Sequence, residues 1–191
     1  AATLLSGFVY ARYRSPLLAG SAFFTIFIRM LPPIVVTLPL FPIVNRLGLA
    51  DTHLVLIVLY ATFFVSLNTW IMKAFIDQIP KELDESAIID GAGLLGILRH
   101  VILPLAVPGM VAAATFVIVF AWNEFLFAFI FTTTNAKTAP LILSEMMGAL
   151  DGVEWGVLFA AATLQLLPVL AFVIAVQKFV VAGMTAGSVK G

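Results

Sequence analysis

Four long apolar stretches constrain the fold of this 191-residue chain more than any other feature. They cover roughly residues 17–43, 54–76, 101–122 and 156–182, and residues 1–11 look like the end of a fifth. A helix needs about 20 apolar residues to cross the hydrocarbon core of a bilayer, and each full stretch is that long. The stretches show no strict alternation of apolar and polar residues, so helices fit better than barrel strands. The sequence therefore predicts one all-α, polytopic membrane domain over residues 1–191.

The composition excludes several classes of protein. Hydrophobic residues make up 62% of the chain and charged residues 10%, whereas a soluble domain is about a quarter charged. The formal net charge is zero, so no basic surface indicates nucleic acid. Without cysteine the chain has no disulfide and no thiolate metal site. No signal peptide is visible, and we expect the natural amino-terminal part to be missing.

Prolines interrupt the apolar stretches. Because proline removes a backbone hydrogen bond and clashes with the preceding turn, we expect bent helices. The prolines concerned are Pro32, Pro33, Pro39, Pro104, Pro108 and Pro168.

The distribution of Lys and Arg predicts the orientation in the membrane, since cytoplasmic loops carry an excess of these residues. One side receives seven of them and the other receives Arg46 and Lys137, while Arg29 lies within a stretch. Residues 77–100 and the carboxyl terminus are therefore expected in the cytoplasm, and the loops 44–53 and 123–155 outside. The seven are Arg12, Arg14, Lys73, Lys81, Arg99, Lys178 and Lys190.

Residues 77–100, called the charged segment below, join two of the stretches and include the sequence KELDESAIID. Apolar residues at Ile79, Leu83, Ala87 and Leu94 recur near helical spacing, and most acids lie off that stripe. A solvated interfacial helix is one interpretation. Acidic residues gain nothing from anionic lipid, however, so a protein partner explains the segment better. We predict a short helix, a tight turn at the glycines after Asp90, and a return into the membrane.

Residues 85–104 resemble a known motif. Glu85-Ser86-Ala87, three residues, Gly91, nine residues and then Val101-Ile102-Leu103-Pro104 are similar to the EAA loop of the membrane subunits of bacterial ATP-binding-cassette importers. Family members have Ala in place of Ser86 and Ile in place of Val101. Trp122-Asn123-Glu124-Phe125 and the tail 183–191 resemble the carbohydrate-importing branch of these permeases.

The resemblance implies a type I importer permease of the bacterial inner membrane, in which the charged segment is a cytoplasmic coupling helix that docks on an ATPase. Its implied partners are a second homologous permease, two ATPase subunits, an external solute-binding protein and a sugar. ATP and Mg would be used by the partner ATPase, and this chain would bind no cofactor. The implied coupling residues are Glu82, Asp84, Glu85, Ser86, Ala87, Asp90, Gly91, Leu103 and Pro104.

Polar residues in or near the apolar stretches are candidates for a substrate pathway, because such residues are costly in lipid. They are Asn68, Trp122, Asn123 and Glu124. Hydrogen-bonding side chains beside aromatic faces suit a sugar, but Trp is also common as an anchor at the membrane surface. Both interpretations stay open. For Arg29 we consider three roles: an ion pair with an acid, a place in the lining of the pathway, or a side chain that reaches the membrane surface.

Other chemistry finds no support in the sequence. The tail GMTAGSVKG lacks the spacing of a phosphate-binding loop, so ATP hydrolysis is expected in another chain. His53 and His100 are expected at opposite membrane faces and cannot share a metal ion, and no catalytic set can be identified from spacing. The alternatives are an ion-coupled secondary transporter, which would need more deep ionisable groups than Arg29, and an intramembrane enzyme.

Overall fold

The computed structural model describes residues 2–149 and 152–185, the last of these (178–185) as backbone only. Every regular element in this part of the chain is helical, which confirms the all-α prediction. The helices are α1 (Ala2–Arg12), α2 (Pro16–Met30), α3 (Pro33–Arg46), α4 (His53–Asp77), α5 (Glu82–Ile89), α6 (Leu94–Ile97), α7 (Leu103–Leu105), α8 (Val107–Trp122), α9 (Leu126–Phe131), α10 (Ala139–Met147) and α11 (Trp155–Thr185). A π-helical turn, Leu98–Ile102, joins α6 to α7.

Two helices are long and apolar enough to cross a membrane unaided: α4, and α11 over Trp155–Gln177. Two further spans meet the same standard only as pairs of helices with a bend of more than 40° between them. These pairs are Pro16–Met30 with Pro33–Arg46 and Leu94–Leu105 with Val107–Trp122. The apolar stretches 17–43 and 101–122, in which the prolines predict bent helices, are therefore each broken into two helices.

Prolines mark both breaks, as the sequence predicts, but not every proline breaks a helix. Pro32 adopts an extended conformation (φ −56°, ψ 130°), and Pro33 then begins α3, where a missing N–H leaves no bond unmade. Pro104 lies in α7 directly after the π-helical turn, and Pro108 lies in the first turn of α8. Pro168, in contrast, lies inside α11, which continues through it.

The chain divides into two compact units. The first contains the described residues up to Ile28, Phe64–Thr115, and those from Val176 onward. Its core joins α1, the second half of α4 and the start of α8, and it includes Leu4, Phe8, Met72, Ile76, Ile79, Ile97, Ile102, Ala106 and Ala113. At Gly7 a Cβ atom would lie 2.7 Å from the Cβ of Met72, so glycine is what lets α1 approach α4 this closely.

The second unit contains Arg29–Phe63 and the described part of Phe116–Ala175. Its core packs α9 against α3 and the first half of α4. The buried side chains are Val44, Val55, Leu56, Leu59, Phe127, Ala128, Phe131 and Leu141. Outside these cores, large apolar side chains are exposed, and only 6% of the most apolar stretch of α11 is buried. Such a surface needs lipid or another protein chain as its surroundings.

Candidate functional site

Helix α5 carries most of the acidic residues of the charged segment. Glu82, Asp84 and Glu85 lie in its first turn, where the partial positive charge of the helix terminus stabilises carboxylates. The Ser86 hydroxyl donates a 2.8 Å hydrogen bond to the Glu82 carbonyl oxygen. No residue of α5 is fully buried, so the helix lies on the surface of the first unit.

Asp84 differs from its acidic neighbours because it forms an ion pair inside the chain. Arg12, at the end of α1, places Nε 2.5 Å from Asp84 Oδ2, and the two side chains are only 7% and 13% exposed. The same guanidinium donates to the carbonyl oxygens of Ile76 (3.2 Å) and Ile79 (3.0 Å), at and beyond the end of α4. Arg12 thus fastens α5 to α1 and α4. Sequence analysis used Arg12 only for orientation, and a single arginine 72 positions from its partner gave no signal of the pair.

The rest of α5 and the residue after it are open to their surroundings. Glu82, Glu85 and Asp90 are exposed, and so are Ile88 and Ile89, the latter at 86%. The predicted apolar stripe is partly wrong: Ile79 is buried and Ala87 half-buried, but Leu83 and Leu94 are exposed. The exposed apolar side chains of the segment (Leu83, Ile88, Ile89, Leu94 and Leu95) therefore form, with the three acids, a mixed apolar and acidic surface, called the α5 surface below.

Gly91 ends α5 in the turn that the sequence predicts. Its φ of +83° lies in the left-handed region, which only glycine adopts at little cost. Its N–H donates to Ile88 O and the N–H of Ala92 donates to Ala87 O, both at 2.9 Å. This is the Schellman pattern that closes the carboxyl terminus of a helix. A Cβ atom at Gly91 would meet nothing within 4 Å, so the position is constrained by backbone conformation and not by space.

Leu103 and Pro104 lie where the charged segment leads into α8. Both are exposed, whereas the preceding Ile102 is completely buried in the core of the first unit. The π-helical turn continues from α6 into α7, and the chain bends by 71° between Leu105 and Val107, where α8 begins. The segment is thus anchored at both ends, by Arg12 at one and by Ile102 at the other.

Asn68, predicted for the substrate pathway, lies within the first unit and is 4% exposed. Its Nδ2 donates to the Phe64 carbonyl oxygen at 2.9 Å, and its buried Oδ1 has no hydrogen-bond donor among the described residues.

The other three pathway candidates lie together in the second unit. Trp122 Nε1 donates to the Gln165 carbonyl oxygen (3.1 Å), and Asn123 Nδ2 donates to the Val119 carbonyl oxygen (2.8 Å). Both side chains are exposed. The Asn123 side chain is therefore accessible to a solute.

Glu124 is largely occupied by bonds within the chain. One carboxylate oxygen accepts from the Phe127 N–H at 2.9 Å, and the other accepts from the Tyr60 hydroxyl at 2.9 Å and from the Ala128 N–H at 3.4 Å. The carboxylate satisfies amides that the first turn of α9 leaves free. Glu124 therefore connects α9 to α4, a role that its position beside Trp122 and Asn123 did not reveal.

Arg29 lies against an aromatic ring. Its Cζ atom is 5.1 Å from the centroid of the Phe63 ring, a cation–π contact, and its Nη1 is buried without a hydrogen-bond partner among the described residues. Of the three roles considered for Arg29, an ion pair with an acid is not formed among the described residues.

Asp51 organises the connection after α9, and sequence analysis missed it. Its carboxylate accepts from four consecutive backbone N–H groups, Thr133 to Ala136, at 2.9 to 3.2 Å, and also from Asn135 Nδ2. The bonds from the Thr133, Asn135 and Thr134 amides favour the charged form and hold the pKa of Asp51 well below its usual value. The predicted outer loop 123–155 is consequently not a loose connection: α9, this capped turn and α10 occupy most of it.

The described residues contain no group of three or more His, Asp or Glu side chains placed to hold a metal ion. The ionisable side chains characterised above bind their own chain, as in the Arg12–Asp84 pair, or face outward, as Glu82 and Glu85 do. The described residues thus include an exposed acidic surface on α5 and a polar, aromatic region around Trp122 and Asn123.

Comparison with known proteins agrees with this arrangement. The chain is 36% identical over 169 residues to the trehalose/maltose transport system permease protein MalG of Thermococcus litoralis, covering 88% of this chain and 61% of that protein. It is 39% identical over 192 residues to the trehalose transport system permease protein SugB of Mycobacterium tuberculosis, covering 98% and 69%. The chain thus spans about three fifths to two thirds of the length of these relatives.

Among solved structures, the inward-facing MetNI methionine ABC transporter matches with a TM-score of 0.76 at 20% identity, over 95% of this chain and 85% of that chain. At that identity the likeness concerns the fold, which is that of a type I importer permease. A family model described as "Binding-protein-dependent transport system inner membrane component" matches residues 2–186. The chain therefore belongs to the family of inner membrane components of binding-protein-dependent transport systems.

Proposed function

We propose that this chain is the membrane-spanning part of a permease subunit in an ATP-driven, binding-protein-dependent carbohydrate importer. The family match over residues 2–186 carries the proposal, and the trehalose and maltose named for its relatives support the carbohydrate class. The solute would move inward by alternating access, with ATP and Mg bound by partner ATPase subunits. A second homologous permease and an external solute-binding protein would complete the assembly.

The ATPase contact is proposed at the α5 surface. It combines exposed carboxylates at Glu82 and Glu85 with exposed Ile88 and Ile89, which suits a groove with apolar walls and basic residues at its rim. Behind this surface, Asp84 and Arg12 form the buried ion pair that joins α5 to α1 and α4. A push on α5 would therefore reach two helices of the first unit directly. Ser86, Ala87, Asp90, Gly91, Leu103 and Pro104 would shape this surface rather than all contact the partner.

The proposed orientation follows from the Lys and Arg distribution. The charged segment would face the cytoplasm, where ATP is available, and the connection capped by Asp51 would face outward, where a solute-binding protein would dock. Trp122 and Asn123, which expose an indole ring and an amide, would contact the sugar as it passes.

The function is tested on the full-length subunit in its native assembly. The tagged subunit is purified from its own membrane, reconstituted with the binding protein, and supplied with a panel of disaccharides and polyols. We expect co-purified ATPase and sugar-stimulated ATP hydrolysis with uptake. Uptake driven by a proton or sodium gradient, without ATP and without an associated ATPase, would instead support the ion-coupled secondary transporter.

A further inference from the structure

A cavity of about 590 Å³ opens on the surface of the first unit, apart from the α5 surface. It lies between the end of α1, the start of α2 and the second half of α4. Arg14 and Lys73 are the charged residues among those that line it, and Tyr13 and Trp70 contribute aromatic rings. Basic and aromatic side chains together are typical of the level where lipid headgroups meet the hydrocarbon core.

The positive charge at this cavity is only partly neutralised within the described chain. Arg14 is exposed and forms no salt bridge to an acid of the described residues. Lys73 contacts Asp77 on the same face of α4, with 2.5 Å between Nζ and Oδ2, but its ammonium group has two further donors. No acidic residue is among the described residues that line the cavity. The cavity therefore offers one free guanidinium and a partly satisfied ammonium to an anion.

The cavity also extends along α2 in the direction of the hydrocarbon. Its lining runs from Arg14, just before α2, to Phe23, two turns into that helix. From Pro16 to Phe23 the helix rises about 10 Å. Ala19 keeps the wall open because its side chain is small, while Trp70 forms the opposite wall and is held by its Nε1, which donates to Thr25 Oγ1 at 3.1 Å. The groove is thus charged at one end and apolar at the other.

We propose that this cavity binds an anionic phospholipid. The phosphate lies between Arg14 and Lys73, and an acyl chain follows the wall formed by Ala19 and Phe23. A sugar would leave the apolar end unused, and an acidic peptide would place polar backbone against it without partners. A phospholipid has a negatively charged headgroup joined to hydrocarbon chains, which matches a groove that is basic at one end and apolar at the other. Basic pockets between membrane helices suit such headgroups.

The test measures lipid retention by the full-length subunit in its purified complex. The complex is placed in nanodiscs of equal parts phosphatidylglycerol and phosphatidylcholine, and the lipids that stay bound after detergent exchange are identified by native mass spectrometry. Arg14→Gln should weaken retention of phosphatidylglycerol about fivefold, the effect of one basic residue near an anionic lipid surface. Ala19→Phe should reduce it by filling the groove without any change of charge. Arg46→Gln, which removes an exposed arginine from the second unit, is the matched control and should change nothing.

Three results would overturn the proposal. Phosphatidylglycerol retention at the wild-type level in both Arg14→Gln and Ala19→Phe would mean that another part of the protein, or a partner subunit, covers the groove. Equal loss of the two lipids in Arg14→Gln would leave an apolar groove without recognition of charge. Displacement of phosphatidylglycerol by inorganic phosphate would identify a site for a free anion. Should Arg14→Gln fail to assemble, Lys73→Gln replaces it with the same expectations.

Discussion

Arg12 and Asp84 form a buried ion pair that joins the end of α1 to the first turn of α5, across 72 positions of sequence. Two carbonyl oxygens at and beyond the end of α4 complete the hydrogen bonding of the guanidinium. The pair places a charge-bearing helix in a fixed position relative to two membrane helices. In the proposed importer, this contact is a direct route from the α5 surface to α1 and α4.

Removing one partner of this pair should destabilise the first unit strongly. Arg12→Gln leaves Asp84 buried without a counter-charge, and a loss of about 3 kcal/mol is expected for such a change. The double variant Arg12→Met, Asp84→Leu should recover part of this loss, because no charge then stays buried. The free energy of unfolding in detergent is the measurement.

Lys137 and Glu145 supply the control for that experiment. Their ion pair is also close, at 2.7 Å, but the side chains are 26% and 48% exposed. Lys137→Ala should therefore cost about 0.5 kcal/mol or less. A loss in Arg12→Gln no larger than in Lys137→Ala would show that Arg12 does not hold α5 in place.

Gly91 should tolerate substitution worse than Gly93, although the two lie two residues apart. Both have open space where a Cβ would lie, but Gly91 has φ +83° and Gly93 has φ −75°. Gly91→Ala should therefore cost about 1 kcal/mol through backbone strain and loosen the end of α5, whereas Gly93→Ala should be close to neutral. Thermal unfolding and proteolysis of the charged segment distinguish the two variants.

Larger substitutions at Gly91 and Gly93 distinguish the effect of backbone strain from that of a bulky side chain at the ATPase contact. Gly91→Leu should give a membrane-inserted subunit with less co-purified ATPase, or with ATP hydrolysis no longer coupled to uptake. If Gly93→Leu causes an equal loss, bulk at the partner surface is responsible and the left-handed turn is not. Wild-type attachment and coupling in both variants would show that the charged segment is not the ATPase contact.

Glu85→Lys should weaken ATPase attachment while costing the subunit less than about 1 kcal/mol, the loss expected when a carboxylate in the first turn of a helix is replaced by a cation. Glu85 is exposed and forms no salt bridge within the described chain, so its reversal changes the α5 surface and breaks no internal contact. The amount of ATPase that co-purifies is the measurement, with unfolding temperature as the check on stability. Lys137→Ala should retain full attachment, and equal attachment in the two variants would argue against an acidic docking surface.

Much of this fold follows from local sequence rules, and the site only partly does. Apolar length predicts α4 and α11, and the glycines after Asp90 predict the turn at Gly91. The bends expected near Pro32 and Pro104 are present as interruptions, between α2 and α3 and, two residues after Pro104, between α7 and α8. Proline predicts where a helix is weakened but not whether it breaks, since α11 continues through Pro168.

The contacts that sequence analysis missed all join distant parts of the chain. Arg12 with Asp84, Glu124 with Tyr60, and Asp51 with the amides after Thr132 each connect residues more than 60 positions apart. Spacing rules relate only residues that are within a few helical turns of each other, so Asp84 and Glu124 were interpreted from adjacent residues. Asp84 and Glu124 were singled out as unusual in an apolar chain and Asp51 was not, and in all three cases tertiary structure sets the group that the carboxylate contacts.

Asp51 should keep the turn after α9 ordered down to acidic pH. Because its pKa is lowered in the folded state, it stabilises that turn fully above its ordinary value of about 3.9, and the contribution is lost only as the pH falls through the lowered folded pKa. Hydrogen exchange of the Thr133–Ala136 amides should therefore show protection that persists between neutral pH and pH of about 4. Asp51→Asn should remove this protection at every pH, while Glu145→Gln should not. Equal protection in Asp51→Asn and wild type would contradict the role given to this carboxylate.

Asn123 and Glu124, adjacent in sequence, should respond differently to truncation. The Asn123 side chain is exposed and donates only to the Val119 carbonyl oxygen, so Asn123→Ala should leave stability unchanged. Glu124→Ala removes a cap and the acceptor of the Tyr60 hydroxyl, and should cost about 1 to 2 kcal/mol.

If the pair lines the sugar pathway, Asn123→Ala should lower uptake while assembly and affinity for the binding protein persist. Tyr60→Phe, which removes one hydrogen bond to Glu124 and leaves both pathway side chains in place, is the control for indirect effects. Normal uptake kinetics in Asn123→Ala, with loss only in the destabilised Glu124→Ala, would assign this region to anchoring the helix ends rather than to contact with the solute.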